Sequence, residues 1–323
     1  MLRKIKSVFL LCLAAGAAMS VNGAWHSIHR GQTAAALPAE LTVRFVGRED
    51  AAYILRDLCM NEHMSASEPK EGKIELTAET DGLFLVDLER LRAINALGDM
   101  MIATRPSGFM VKKGDKLCGT RVIPLVIRKD RMEAAKKAAG ESPIMRLVPV
   151  KPKKYGLVTT GNEVFYGRIE DTFTPVIQAK MKEFGCEMAE HAILNDDHEK
   201  ITAAIRDMLD KGCDMVICTG GMSVDPDDRT PLAIRTAADE VITYGAPVLP
   251  GAMFMLAYYG EKRIPICGLP GCVMYAKRTI FDLMLPRLLA DDPITKEEID
   301  RLGEGGLCLN CNICTYPNCG FGK

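Results

Sequence analysis

Between Tyr155 and Asp292 the apolar positions switch repeatedly between short unbroken runs and runs with helical spacing. Gly156-Leu-Val-Thr-Thr160 is a short run of the kind found in strands covered on both faces. Thr174-Pro175 follows, an N-cap with proline at the first helical position, and predicts a helix burying Val176, Ile177, Met181 and Phe184 and stopping at Gly185. A strand is predicted over 189–194. Asp196 and Glu199 then stand at capping-box spacing before Ile201, Ile205, Met208 and Leu209. Residues 214–219 are the next strand, Thr230-Pro231 opens another helix, and 263–268 is a further strand. Gly271 to Leu289 reads as one helix carrying Val273, Ile280, Phe281, Met284, Leu285 and Leu288. This alternation predicts an α/β fold: a parallel sheet with helices on both faces.

Upstream the pattern differs. Residues 49–60 show helical spacing at Ala52, Ile54, Leu55 and Leu58. From Gly72 short alternating runs predict strands over 73–78, 83–86, 100–104 and 120–127, with a turn at Asp81-Gly82. The last two are expected to join across Lys113-Gly114-Asp115, and helices are expected after Asp87 and over 131–139. Three prolines and several lysines in 141–154 mark a boundary. At the N-terminus, Arg3, Lys4 and Lys6 precede an apolar run from Val8 to Met19, with small residues at Ala18-Met19-Ser20. This is the layout of a secretory signal peptide, and the run is too short for a stable membrane span. The predicted organisation is an apolar leader and linker (1–40), a small β-rich module (41–150), the α/β domain (151–295), and a linker with a cysteine-rich metal tail (296–323).

Composition narrows the partners. The 323 residues carry a formal net charge of −1 and one Trp, which removes the electrostatic and stacking arguments for nucleic acid. Eight of the twelve cysteines are scattered, several within apolar runs, as buried reduced thiols usually are. That favours a reducing compartment and a cytoplasmic location, against the export implied by the leader.

The other four cysteines, Cys308, Cys311, Cys314 and Cys319, fall in the last sixteen residues with the spacing C-x2-C-x2-C-x4-C. So short a segment has no core of its own, and four thiols gathered in it point to a metal. Two-residue gaps turn successive sulfurs toward one centre, as around a [4Fe–4S] cluster. Zinc is the alternative, although its modules more often use two separated C-x-x-C pairs. Disulfides in a disordered tail are the third reading.

Three glycine-bearing turns follow predicted strands: Thr160-Gly161-Asn162-Glu163, Thr219-Gly220-Gly221-Met222-Ser223 and Gly268-Leu269-Pro270-Gly271. Glycine lets backbone approach a ligand, and a turn that opens a helix offers free N–H groups to an anion. Asp171, Asp196, Asp225, Asp227 and Asp228 are interleaved with them. Carboxylates beside an anion site call for a hard cation such as Mg²⁺. One such turn alone is common in any α/β domain; three on successive strand ends, with acids between, are not. No ATP-binding P-loop or dinucleotide fingerprint is present.

In this order, Thr160–Glu163, Gly167-Arg-Ile-Glu-Asp-Thr172, Asn195-Asp-Asp197, Thr219–Val224 and Gly268–Gly271 resemble the molybdopterin-binding domain of molybdenum-cofactor biosynthesis proteins. The resemblance spans Tyr155 to Asp292. It implies binding of molybdopterin or its adenylated form, and, in the branch that inserts molybdate, cleavage of that adenylate as metal enters the dithiolene. Position by position, Asp196 and Asp228 match the family's functional aspartates, with Asp228 also a Mg²⁺ ligand. Asp171 matches its Asp-Thr/Ser position, and the Thr219 and Gly268 turns match its ligand-cradling loops. The chain departs from the family at Val248-Leu-Pro-Gly-Ala252, where insertion enzymes carry Lys-Pro-Gly-Lys-Pro, and at Cys272, where they carry Asn. Without those lysines the expected molybdotransferase competes with a non-catalytic carrier or sensor that hands cofactor to a molybdoenzyme. A nucleotide pyrophosphatase like the competence-associated proteins is a third possibility. Self-association into a homo-oligomer belongs to the same set of expectations.

Overall fold

The computed structural model describes residues 44–223, 225 and 227–323. The leader-like run, with Ala18-Met19-Ser20, lies outside them. The described chain forms two compact units. One contains 44–77, Asp87–Arg105 and Lys116–Met145. The strands Met64–Ala66, Lys73–Ala78, Lys116–Val122 and Met100–Thr104 make a four-stranded sheet in that order, and Phe45–Gly47 pairs separately with Val126–Arg128. Lys73–Ala78 alternates between exposed or half-buried and buried side chains, the period expected of a strand with one covered face. Lys113-Gly114-Asp115 joins Phe109–Val111 to Lys116–Val122, so the turn is real but its first partner is not the 100–104 strand.

The second unit contains Ala78–Val86, Pro106–Asp115 and Arg146–Lys323. Its main sheet has six strands: β1 (Lys154–Thr160), β2 (Glu187–Leu194), β3 (Met215–Thr219), β4 (Glu240–Tyr244), β5 (Met255–Tyr259) and β6 (Ile264–Leu269). The order is β2-β1-β3-β6-β5-β4. Pairings among β2, β1, β3 and β6 are parallel, whereas β5 runs antiparallel to both neighbours. The sheet is therefore largely, not wholly, parallel. The cause is local: β5 and β6 are joined by the tight turn Gly260-Glu-Lys-Arg263, closed by Arg263 N–H donating to Gly260 O at 2.9 Å. So short a link permits only an antiparallel pair.

This unit also carries helices α1 (Phe173–Lys182), α2 (His198–Asp210), α3 (Thr230–Ala237), α4 (Ile280–Leu289) and α5 (Lys296–Arg301). Leu157, Ile177, Met181, Ile217, Phe281 and Leu285 share one core cluster, and Val158, Ile201, Ile205, Met208 and Ile234 another. Adjacent β1 residues thus feed opposite faces, which is why this strand is apolar throughout. The expected single helix over 271–289 is broken in two. Gly271–Met274 makes only a 3-10 turn, and α4 starts afresh at Thr279, whose hydroxyl and the Asp282 carboxylate form a capping box. The hydrophobic spacing runs across this break and hides it. Among the described residues no helix is long and apolar enough to cross a membrane.

Candidate functional site

The chain leaves β1 for β2 on one side and returns to β3 on the other, so the β1/β3 crevice is the topological switch point where such sheets bind ligands. Register aligns the strand ends: Thr160 pairs with Leu194, Thr159 with Thr219, and Thr219 with Leu269. All three glycine turns consequently leave the sheet at one edge.

Gly220 and Gly221 are packed into that crevice, with φ of +84° and +51°. A Cβ on Gly220 would lie 2.1 Å from Thr160 O; one on Gly221 would lie 2.9 Å from Thr230 Oγ1 and 3.4 Å from Asp196 Oδ1. The Thr160 and Thr230 hydroxyls meet at 2.9 Å beneath them. Only glycine fits this backbone and this space. Asp196 Oδ2 accepts the Asn162 N–H at 3.1 Å, tying the first turn to the second strand. Burial raises the Asp196 carboxyl above its usual range, and the Asp228, Asp227 and Glu163 carboxylates push in the same direction. Asp228 Oδ2 accepts the Ser223 N–H at 2.6 Å. Tyr244 closes this side, donating to Ser223 O at 3.1 Å, and its phenol is raised by burial and by Asp228. Two buried oxygens here, Thr219 Oγ1 and Asn195 Oδ1, have no hydrogen-bond partner. Such atoms are costly unless a ligand or water meets them.

Other expected site residues are used differently. Asp196 is not the cap of α2: Asp197 is, accepting from Glu199 N and Lys200 N at 3.1 and 3.3 Å. That leaves Asp196 free to face the crevice. Asp171, one residue before the N-cap Thr172, accepts from Phe173 N and Thr174 N at 2.9 and 3.1 Å, and α1 starts at Phe173 rather than at Thr174-Pro175. Met222 and Leu269 are buried in the two core clusters, so only their backbone is available to a ligand. Gly268 makes room for Met222, whose Cε would lie 2.5 Å from an added Cβ. Because Gly268–Gly271 opens only a 3-10 turn, the anion-binding helix N-terminus expected there is absent; Gly271 itself is exposed. Glu163 and Asn162 start the short turn Asn162–Phe165, and Glu163 is exposed. Thr230 and Tyr244 were not legible as site residues, because their distance from the glycine turns along the chain gives no spacing signal.

The Val248–Ala252 and Gly268–Gly271 segments meet at a cavity of about 490 Å³, whose lining includes Gly251, Ala252, Pro270, Cys272 and Cys308. The tail reaches it because Leu307 bridges Leu249 in parallel and Cys308 N–H donates to Leu249 O at 2.8 Å. Burial raises the Cys272 thiol. Among the described residues no three His, Cys, Asp or Glu side chains converge closely enough to hold a metal as they stand.

Residues 156–290 match the family described as a probable molybdopterin binding domain. Over 196 residues, 58% of the chain, the protein is 26% identical to the molybdopterin molybdenumtransferase of Synechococcus elongatus, covering 46% of it. A 75-residue stretch, 23% of the chain, is 37% identical to a CinA-like protein of Mycobacterium avium, covering 17% of that protein. The chain thus spans less than half the length of these curated relatives. Among solved structures it is similar to the molybdopterin biosynthesis enzyme MoaB of Thermus thermophilus, at 22% identity and TM-score 0.37, over 44% of this chain and 98% of that one. It is also similar to a CinA protein of Thermoplasma acidophilum, at 18% identity and TM-score 0.36, over 42% and 98%.

Proposed function

We propose that residues 156–290 bind molybdopterin or its adenylated form at the β1/β3 crevice and take part in molybdenum-cofactor biosynthesis. The observation that carries this reading is the cradle itself. Gly220 and Gly221 are pressed against Thr160 and Thr230, and the unpartnered Thr219 and Asn195 oxygens lie at the same strand ends. In the finer form of the proposal the domain is a Mg²⁺-dependent molybdotransferase. Asp196 and Asp228 would hold the cation, which would neutralise charge on the phosphate and on a leaving adenylate. The neighbouring Asp228 and Asp227 charges fit a cation, since a divalent ion relieves the repulsion that helps raise the Asp196 carboxyl. The protein's own groups fix the ligand: the glycine turns bring backbone close, and Asn162 N–H and Ser223 N–H orient the two carboxylates. Cys308, Cys311, Cys314 and Cys319 belong to the same proposal as ligands of a [4Fe–4S] cluster, with zinc as the alternative, in a cytoplasmic, reducing setting.

The second reading is a carrier that binds cofactor without inserting metal and hands it to a molybdoenzyme. It is favoured by one observation: Val248–Ala252 lines its cavity with no cationic side chain of its own.

Binding of the pterin ligand with and without Mg²⁺, in wild type and in Asp196→Asn and Asp228→Ala, tests both forms. Either substitution should weaken Mg²⁺-dependent binding about tenfold or more, roughly 1.4 kcal/mol. Stability gives an independent sign. A carboxyl whose folded pKa is raised begins to cost stability as pH rises past its unfolded pKa, and costs most above its folded pKa. At neutral pH Asp196→Asn should therefore hold or raise the melting temperature of metal-free protein. Equal affinity with and without Mg²⁺ in all three proteins removes the cation. Tight pterin binding with no molybdate-dependent cleavage of the adenylate selects the carrier.

A further inference from the structure

The cysteines fall into two sets. Cys59, Cys118, Cys186, Cys213, Cys218 and Cys267 are buried, and burial pushes the Cys267 thiol up to about 12. The remaining five described cysteines, Cys272, Cys308, Cys311, Cys314 and Cys319, are half-buried or exposed and line a single cavity of about 420 Å³. Four come from the tail. Cys272 comes from outside the tail, one residue beyond the Gly268–Gly271 turn.

The tail is held firmly in place beside that turn. The Tyr316 hydroxyl donates to Asp282 O at 2.9 Å, and its ring lies under the Arg278 guanidinium at 5.0 Å. Phe321 is buried in the core cluster, and Cys308 and Cys319 pack against the same cluster. The loop between them carries the exposed Cys311 and Cys314. Lys277 holds it, its ammonium donating to Cys311 O at 3.2 Å and Asn312 O at 2.8 Å. Tyr316 and Lys277 thus anchor the tail at the cavity that Cys311 and Cys314 line. Lys277 and Arg278 also line the cavity and offset the negative charge that several thiolates would bring.

The number of thiols and their two-residue spacing in the tail favour an iron–sulfur centre over a single zinc. Sulfurs around one tetrahedral zinc lie about 3.8 Å apart, given Zn–S bonds of about 2.3 Å. Among the described residues no three of these thiols converge on one point as they stand, and the five that line the cavity are one more than a single tetrahedral ion takes. A multinuclear iron–sulfur centre suits thiols spread round such a space.

We propose that this cavity is an iron–sulfur site in which Cys272, from the turn of the pterin-binding domain, supplies a thiolate beside the tail cysteines. This rests on the metal reading of the tail and adds to it a ligand outside the tail motif. The centre then forms part of the wall shared with the Val248–Ala252 cavity, which Cys272 and Cys308 also line. Each ligating thiol gives up its proton on binding, and Cys311 and Cys314 swing inward over the cavity.

The test uses the full chain purified anaerobically. Iron, acid-labile sulfide and zinc per chain are measured, with visible absorption, the EPR spectrum after reduction, and the rate of iron loss to a chelator. Wild type should hold iron and sulfide in equal amounts and absorb broadly in the visible. Cys311→Ser and Cys314→Ser should each lose that absorption. Cys272→Ser should lose iron at least tenfold faster, or shift the EPR spectrum, while its metal-free melting temperature stays that of metal-free wild type. Unchanged iron content, chelator rate and EPR spectrum in Cys272→Ser overturn its place in the site. One zinc per chain without iron overturns the iron–sulfur assignment, and tail disulfides in native protein overturn the site altogether. Pterin affinity is measured separately, so failure of the pterin reading leaves these results standing.

Discussion

Gly220→Ala should unfold the α/β domain well below the wild-type temperature and abolish ligand binding at its crevice. Two effects combine. The residue sits at φ +84°, where an L side chain costs about 1–2 kcal/mol. Its new methyl would also lie 2.1 Å from Thr160 O, a backbone atom at the end of a central strand that cannot yield like a side-chain tip. Together they should cost on the order of 3–5 kcal/mol, among the largest values a single substitution reaches. At roughly 2–4 °C per kcal/mol for chains of about this size, the domain's transition should fall by about 10 °C. Gly260→Ala is the matched control. It has φ +68° but nothing within 4 Å of the added carbon, so it should show only the backbone cost. Equal losses from the two substitutions would show that the close packing of Gly220 against Thr160 does not matter.

Asp282→Ala should be comparably damaging, for an electrostatic reason. The Lys180 and Asp282 side chains are only 9% and 4% exposed, and the ammonium lies 2.7 Å from the carboxylate. The same carboxylate accepts Arg278 at 2.9 Å and the Thr279 N–H at 2.7 Å, starting α4 where the hydrophobic pattern alone would have continued one helix. Removing it leaves a buried ammonium with Lys277 O as its remaining acceptor, at 3.2 Å. Breaking a buried pair in this way costs about 3–5 kcal/mol. Loss of the helix cap adds about 1 kcal/mol. Lys180→Met should be milder, because Asp282 keeps Arg278 and the Thr279 N–H while the methionine fills the vacated space. Thermal melts of the two variants order them. A Lys180→Met loss as large as that of Asp282→Ala would mean that the ammonium, rather than the carboxylate, organises this junction. Because Tyr316 is anchored on the backbone carbonyl at 282, loosening the start of α4 should expose the tail thiols to alkylation faster than in wild type.

The sequence by itself determined whatever is encoded locally. Unbroken apolar strands, proline-marked helix starts and glycine turns depend on neighbours a few residues apart, so β1, β2, β3 and β6 and the three turns were all legible, as was the family they resemble. The tail motif was legible for the same reason, its four thiols lying within twelve residues. Tertiary structure decided the rest. It chose Asp197 over Asp196 as the cap of α2, while Asp196 accepts the Asn162 N–H at the neighbouring end of β1. It assigned Asp171 to α1, broke the 271–289 helix at Thr279, and buried the Met222 and Leu269 side chains behind their turns. It inserted β5 antiparallel into the sheet because a tight turn leaves no length for a crossover. It also brought Cys272 to the cavity that the tail lines, and Thr230 and Tyr244 to the crevice. Each of these outcomes joins residues far apart in the chain through burial and hydrogen-bond satisfaction, and spacing along the sequence carries no record of them.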